Sequence, residues 1–280
     1  MATRVLRGTS SGKGASVMGL VDYPVWFFIP LLVLLLAVEE TGFRLRFRSK
    51  AEVDDKLHGQ IVGARDGLVV LLSLLLGFML PMSLTRFDLR KQLVVQEANA
   101  IGTASLRAQT LPEPVRSKSQ ELLAQYADAR LKFFVAALDT KELEAAQARS
   151  KQLQDALWQQ ALPVAQSAPT VITSLYLQAL NQMIDLSEES LAARENRVPG
   201  AIWFMLAFIS LLACLTSGYS HRKRFLLSML VTPLMISIVM ALIADLDAPR
   251  RGLILVGQQS LERVQSDLNG SIKPSFRATH

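Results

Sequence analysis

The chain has 280 residues, of which 50% are hydrophobic and only 19% are charged. A soluble domain usually carries about 25% charged residues. Four apolar stretches of the sequence are each long enough to cross a bilayer, which takes about 20 residues of helix. The composition therefore predicts an integral membrane protein and argues against a soluble enzyme.

Lysine and arginine number 30 against 24 acidic residues, which gives a net charge of +6. In a soluble chain this excess could indicate nucleic-acid binding. Here the basic residues cluster beside the apolar stretches, a placement typical of membrane topology and of contact with anionic headgroups. We therefore predict the lipid bilayer as a partner and no nucleic acid.

Catalytic and metal-binding motifs are absent from the sequence. No GxSxG, HExxH, CxxC or phosphate-loop pattern occurs. Cys214 is the only cysteine, so the chain can form neither an internal disulfide nor a cysteine-based metal site. We predict that the protein is not an enzyme and that it holds no cofactor and no metal.

The chain begins with a Gly/Ser-rich tail, 1–20, which is typical of disorder. The apolar segment 21–38 follows, and because no small-residue cleavage site comes after it, we interpret it as an uncleaved membrane helix. A second segment, 67–85, has no charged residue and would span roughly 28 Å as a helix. Residues 21–85 are thus predicted to hold two membrane helices and their connecting loop.

Residues 86–197 are predicted to form an extramembrane helical domain, and no break separates the second membrane helix from it before Ile101. Apolar residues at three-to-four spacing indicate one helix from Val115 to Phe133. A capping-box pattern at Asp139 opens a second helix.

The same domain contains a third predicted helix, which has Pro169 in its first turn. Breaks are expected at Leu111-Pro112-Glu113-Pro114 and from Leu162-Pro163 to Pro169. No strand pattern competes with these helices.

Two further apolar segments, 198–220 and 225–244, are separated by only four residues and must form an antiparallel hairpin. We predict 198–244 as this hairpin and 245–280 as a C-terminal flank. The predicted fold class is all-α: a polytopic membrane protein with four transmembrane helices and a helical domain inserted between helices 2 and 3.

Charge placement bears on orientation. The loop 39–66 has six basic residues and the loop 221–224 has three, so one side of the membrane holds nine. The positive-inside rule favours this side as cytoplasmic. The charges of the long domain 86–197 carry little weight, because long domains are translocated largely regardless of charge. The helical domain would then lie on the periplasmic side of a bacterial inner membrane.

Ionisable residues occur at the edges of the apolar segments and not at their centres, so no intramembrane proton relay is indicated. They could bind lipid phosphate, pair with one another to hold helix ends, or anchor the chain as a solvated edge. The residues of this membrane-edge charge cluster are Arg86, Asp88, Arg90, Asp245, Asp247, Arg250 and Arg251.

Several motifs together resemble the bacterial bestrophin-like domain family, a family of unknown function. They are Leu76-Gly77-Phe78, Arg86-Phe87-Asp88-x-Arg90, the run from Glu97 to Thr103, and Asp245-x-Asp247-x-Pro249. The resemblance covers about residues 60–270. The layout is also distantly similar to that of the bestrophin channels.

That distant similarity implies a homo-oligomer, pentameric in bestrophins, which conducts inorganic ions along its axis beside the second membrane helix. Carried over by position, it implies that Ser73, Gly77, Phe78 and Pro81 lie near a pore. Bestrophins keep their helical domain in the cytoplasm, which is opposite to the charge count, so one of these two inferences must fail.

Beyond the membrane, Glu97, Asn99 and Thr103 are predicted to share one face of the extended second helix. This polar face could line a vestibule or form a contact between helices. Two functions stay open: an oligomeric bestrophin-like ion channel, and a non-transporting scaffold or sensor that binds a partner through the helical domain. A channel requires self-association, since four helices leave little room for a pore.

Overall fold

The computed structural model of the protein describes residues 24–48, 55–136, 140–167, 169–248 and 253–272, so the predicted tail 1–20 lies outside it. Every secondary-structure element in these ranges is a helix, which confirms the predicted all-α class. The helices are α1 (Pro24–Arg48), α2 (Asp55–Ala108), α3 (Val115–Val135), α4 (Thr140–Ser167), α5 (Val171–Glu195), α6 (Gly200–Ser220), α7 (Leu226–Asp247) and α8 (Gln259–Ile272).

Three stretches of helix are long and apolar enough to cross a membrane, as judged on the described residues. They are His58–Ala108, Val171–Ser220 and Leu226–Asp247. The sequence predicted four such segments. The first of them, 21–38, falls mostly in α1, which is not among the three.

The longest helix, α2, has 54 residues and is therefore about 80 Å long. The sequence predicted that this helix continues to Ile101 or beyond, and in the structure it ends at Ala108. Its interior contains Pro81, and the Thr85 hydroxyl donates to the Pro81 carbonyl at 2.9 Å. Residues of the first half of α2, such as Leu72, are buried in one hydrophobic core, and residues of its second half, such as Leu93, are buried in another.

The described residues divide into two compact units. The first, which we call the membrane unit, falls within Met1–Thr85 and Arg197–Ile254. The second, the helical unit, falls within Arg86–Asn196 and Leu255–His280. The C-terminal helix α8 thus belongs with the inserted helices, a grouping that the sequence did not indicate.

In the membrane unit, α1 packs against both α6 and α7. The contact with α6 is close enough to bring backbones together: a Cβ added at Gly42 would overlap the carbonyl oxygen of Leu215, and one at Gly218 would overlap that of Glu39. Small residues permit such an approach between membrane helices. The core of this unit includes the fully buried residues Leu35, Leu206, Ala213, Cys214 and Ile243.

In the helical unit, α3 packs against α4 and α8, and α4 packs against α5. The C-terminal half of α2 contributes one apolar stripe to the same core, since its residues at three-to-four spacing are all buried. These residues are Leu93, Val94, Ala98, Ile101, Ala104 and Ala108.

Two predicted helix ends differ in the structure. Helix α4 runs through Pro163 and ends at Ser167, so it ends within the predicted break 162–169 but not at its first proline. A proline inside a helix removes one backbone hydrogen bond, and it can kink the helix without ending it. Helix α5 is capped by Thr170, whose side chain accepts from the Thr173 N–H, so Pro169 lies before the helix and not in its first turn. The predicted capping residue of α4, Asp139, lies outside the described residues.

Candidate functional site

The four residues predicted to lie near a pore are all exposed on the surface of α2 in the single chain. Ser73, Gly77 and Pro81 are four residues apart and so share one face, and Phe78 beside them is 68% exposed. A Cβ added at Gly77 would meet nothing within 4 Å. The structure therefore brings these positions together on a face that the chain itself leaves open.

This face of α2 is otherwise apolar. Large hydrophobic side chains stand exposed around the four residues: Val70, Leu71, Leu74, Met82 and Leu84. On the opposite side of the helix Leu72, Leu76 and Met79 are buried in the core of the membrane unit. A helix of this kind is one-sided, and its open side is available to lipid or to a second copy of the chain.

Glu97 lies in the core of the helical unit and is fully buried. The Arg130 guanidinium donates to both carboxylate oxygens, through Nε to Oε1 and through Nη2 to Oε2 at 2.9 Å. The Ser190 hydroxyl donates to Oε2 at 3.0 Å. This bidentate pair, joined by a third donor, ties α2 to α3 and α5. Of the two roles predicted for Glu97, the structure places it in a contact between helices.

Arg130 is itself 1% exposed and lies over the Phe133 ring, with 4.2 Å from Cζ to the ring centroid. Burial alone would lower the pKa of Arg130, but the adjacent Glu97 carboxylate raises it above its ordinary value. The guanidinium therefore stays charged.

Tyr126 extends the same buried network. Its hydroxyl accepts from Gln154 Nε2 at 3.1 Å, and burial raises the pKa of Tyr126 to about 12. Tyr126 is therefore neutral at any physiological pH and serves as a fixed part of the core.

Asn99 and Thr103 do not join Glu97. Asn99 is exposed and Thr103 is half-buried, whereas Glu97 is fully buried. The prediction of one shared face was wrong, because residues two apart on an α-helix point about 200° from each other. A polar vestibule face, if α2 has one, therefore contains Asn99 without Glu97.

In the membrane-edge charge cluster, the two aspartates are buried and bind backbone. The Asp245 carboxylate accepts from the N–H groups of Leu253, at 2.7 Å, and Ile254, at 3.0 Å. The Asp247 carboxylate accepts from the Val198 N–H at 3.1 and 3.2 Å. Both therefore fix chain segments that flank the hairpin helices instead of standing in solvent.

The basic members of that cluster differ from one another. Arg90 is buried, Arg86 is half-buried, and the acidic Asp88 near them is exposed. Arg250 and Arg251 lie outside the described residues.

Sequence reasoning missed a second buried glutamate, Glu39, which it placed in a loop after the first apolar segment. Helix α1 continues through it, and its side chain points into the contact with α6. The Ser217 hydroxyl donates to Glu39 Oε1 at 3.0 Å, and His221 Nε2 lies 3.2 Å from the same oxygen. The available signal was the series of small residues on α6, which includes Ser217 and indicates a close helix contact.

Within the part of the chain that the structure describes, no group of three or more His, Cys, Asp or Glu side chains could hold a metal ion.

Comparison with known protein families identifies a match to one family model. The model of the Bestrophin-like domain matches residues 31–261. No curated protein sequence matches the chain significantly.

Solved structures of a bacterial bestrophin homolog from Klebsiella pneumoniae have the same fold. One point variant is 16% identical, with a TM-score of 0.62, covering 87% of this chain and 99% of the other. A second variant is 14% identical, with a TM-score of 0.64, covering 94% of this chain and 99% of the other. A further structure is 14% identical, with a TM-score of 0.63, covering 87% and 98%.

At these identities the structural similarity establishes the fold alone. This fold agrees with the match of the Bestrophin-like model to residues 31–261. The predicted resemblance is thereby confirmed, and the protein is a membrane protein. The chain belongs to the Bestrophin-like family.

Proposed function

We propose that the protein is an oligomeric ion channel of the bacterial inner membrane. The observation that carries this proposal is the open face of α2, on which Ser73, Gly77, Phe78 and Pro81 are exposed in a chain of this family. Several copies arranged around an axis would cover that face and place it along a pore.

The chemistry of the face suits the passage of inorganic ions. Proline has no N–H, so Pro81 leaves the Gly77 carbonyl without its helical donor. Gly77 has no side chain to shield this carbonyl, and Ser73 adds a hydroxyl one turn before it. Polar oxygens on an otherwise apolar face are what a narrow permeation path requires.

We further propose four membrane helices, with segment 21–38 in α1 as the first. The second is 67–85 in α2, and the hairpin 198–244 supplies the last two. The inserted domain 86–197 and the flank 245–280 lie outside the bilayer in this proposal.

For the orientation, the charge count favours a periplasmic helical domain, whereas the layout of bestrophins favours a cytoplasmic one. A reporter that is active only in the periplasm, inserted at Ala145, distinguishes them. Activity supports the charge count, and its absence together with activity of a cytoplasm-only reporter supports the bestrophin layout.

The second candidate function is a non-transporting scaffold or sensor. It is favoured by a cavity of about 570 Å³ between α3 and α4 in the helical unit. Gln125, Asp128, Lys132, Glu142 and Arg149 are among its lining residues, so both signs of charge are available to a partner protein.

Reconstitution into liposomes separates the two functions. We expect the wild-type protein to conduct inorganic ions, and Gly77→Leu to lower conduction strongly, because the new side chain fills the proposed path. Gly200→Leu is the matched control, since a Cβ at Gly200 also meets nothing within 4 Å and the site lies on α6.

A folded wild-type protein that passes no cation and no anion in this assay contradicts the channel. Equal loss of conduction in both glycine variants contradicts the assignment of the path to α2.

A further inference from the structure

We propose that Glu39, Ser217 and His221 form a proton-binding site, and that its occupancy sets how tightly α1 packs against α6. The site lies in the membrane unit, where the end of α1 meets the end of α6. It is separate from the open face of α2, so it does not depend on the proposed function.

The Glu39 carboxyl is buried with incomplete hydrogen bonding among the described residues. Glu39 is fully buried. Its Oε1 is 3.0 Å from the Ser217 hydroxyl and 3.2 Å from His221 Nε2, but its Oε2 is buried without a hydrogen-bond partner among the described residues. An ionised carboxylate needs several donors when it leaves water, and this one has too few. The geometry therefore fits a carboxyl that holds a proton.

The charge balance of the site also favours a protonated Glu39. His221 is the side chain in contact with Glu39 that can become cationic. With one proton shared by the pair, the site is either a neutral acid beside a neutral imidazole or a carboxylate beside an imidazolium. Burial and the nearby positive charge of Arg65, on α2, lower the pKa of His221. The shared proton therefore resides on Glu39 at neutral pH.

Other charged groups near this end of α1 have partners of their own. Glu40 pairs with Arg44, and Arg224 from the loop after α6 joins it, each at 2.8 Å. Arg46 lies 2.9 Å from His58 Nδ1, on α2, and donates to a backbone carbonyl. None of these contacts reaches the Glu39 carboxyl in the described structure.

Helices α6 and α7 contain no lysine or arginine, so they offer Glu39 no permanent countercharge. On α6, the buried Cys214 thiol is close enough to interact electrostatically with Glu39, and it is not a cation. On α7, the titratable Asp245 and Asp247 lie at the far end of the hairpin, where Asp247 binds the Val198 N–H before the start of α6, so they do not face Glu39. With His221 neutral, loss of the shared proton therefore leaves a buried negative charge that no cation among the described residues contacts.

The backbone around the site converts this charge into a change of packing. Gly218 lets α6 touch the backbone of Glu39 itself, and Gly42 lets α1 touch α6 again about one turn later, so the carboxyl has little room to find new donors. Water reaches the carboxylate only when the two helices separate. Proton loss is therefore expected to weaken the contact between α1 and α6.

Thermal unfolding of the purified full-length protein in detergent, followed across pH, tests the proposal. The folded state binds this proton more tightly than the unfolded state does, so stability is lost as pH rises. We expect the wild-type Tm to fall by about 3 °C or more between mildly acidic and mildly alkaline pH. Glu39→Gln, which is permanently neutral, should remove most of this fall.

Glu40→Gln is the matched control, since it changes the adjacent carboxyl on the outer side of the helix and should leave the wild-type profile intact. Infrared difference spectra of wild type against Glu39→Gln supply a second readout that needs no unfolding. We expect the carbonyl stretch of a protonated carboxyl at neutral pH, absent from the variant.

Parallel Tm profiles of wild type and Glu39→Gln, or no protonated-carboxyl band lost in the variant, would overturn the proposal. Neither readout involves ion conduction, so its failure leaves the proposed channel function unaffected.

Discussion

The membrane unit and the helical unit each bury one glutamate completely, and the two glutamates are held in different ways. Glu97 meets a guanidinium that donates to both its oxygens, and a serine hydroxyl completes the set. Glu39 meets a serine and a histidine at one oxygen only. The same side chain at the same burial is a fixed ion pair in one unit and a titratable site in the other.

The difference shows that burial by itself does not decide what a carboxyl does. Arginine is a permanent cation at every physiological pH, so the Arg130–Glu97 pair is a fixed contact within the core. A histidine gains and loses its charge in that range, so its partner's state follows pH.

The largest effect is expected from Arg130→Ala. It leaves Glu97 as an uncompensated charge in the core, which typically costs about 3–5 kcal/mol of the free energy of unfolding. Chemical unfolding, followed by a signal from the helical unit, measures this loss of unfolding free energy.

The control for Arg130→Ala is the double variant Arg130→Met with Glu97→Leu, which fills the same space without charge and should recover most of the loss. A single variant within about 1 kcal/mol of wild type would show that Arg130 does not hold Glu97 in the core.

The membrane unit is expected to depend more on backbone contact than on charge. Gly218→Ala puts a methyl group into the Glu39 carbonyl and forces α1 from α6, at a cost of about 1–3 kcal/mol. Gly77→Ala is the matched control: its Cβ meets nothing, and alanine is the better helix former, so stability should rise by up to about 1 kcal/mol.

The two glycine variants are compared by thermal unfolding in the same detergent. Equal stability in both would mean that the contact of α1 with α6 is looser than described.

The smallest effects come from a pair of serines that make the same bond in the two units. Ser217→Ala removes one of the two partners that the described residues give the Glu39 carboxyl, and it should cost about 1–2 kcal/mol. Ser190→Ala leaves Glu97 with its arginine and should cost less than about 1 kcal/mol. Thermal unfolding of both variants measures the difference, and the reverse order would contradict the distinction between the two glutamates.

The helices themselves were predictable from sequence, because apolar spacing and length are local properties. The spacing predicted a helix from Val115 to Phe133, and α3 runs from Val115 to Val135. The uninterrupted run after Thr85 predicted the long α2. The break predicted from Pro163 onward begins only after Ser167, because a helix can continue through a proline at the loss of one backbone hydrogen bond.

The partners of the two glutamates were not predictable, because they lie far away in the chain. Glu97 and Arg130 are 33 residues apart, and Glu39 and Ser217 are 178 residues apart. No periodicity reports such pairs. The motif around Glu97 identified the family, but it did not distinguish a vestibule from a core contact.

The candidate path on α2 came from the resemblance, and the structure adds that the face is open in a single chain. Whether copies of the chain cover it is a matter of assembly, which a single sequence does not encode in any local pattern. The oligomeric state therefore decides whether this face of α2 lines a path or faces lipid.

The mass of the intact protein in mild detergent tests the central claim most directly. The account predicts a discrete closed ring of identical chains, five by resemblance to bestrophins, with the open face of α2 toward its axis. A homogeneous monomer or dimer would leave no axis for a pore and would contradict the channel.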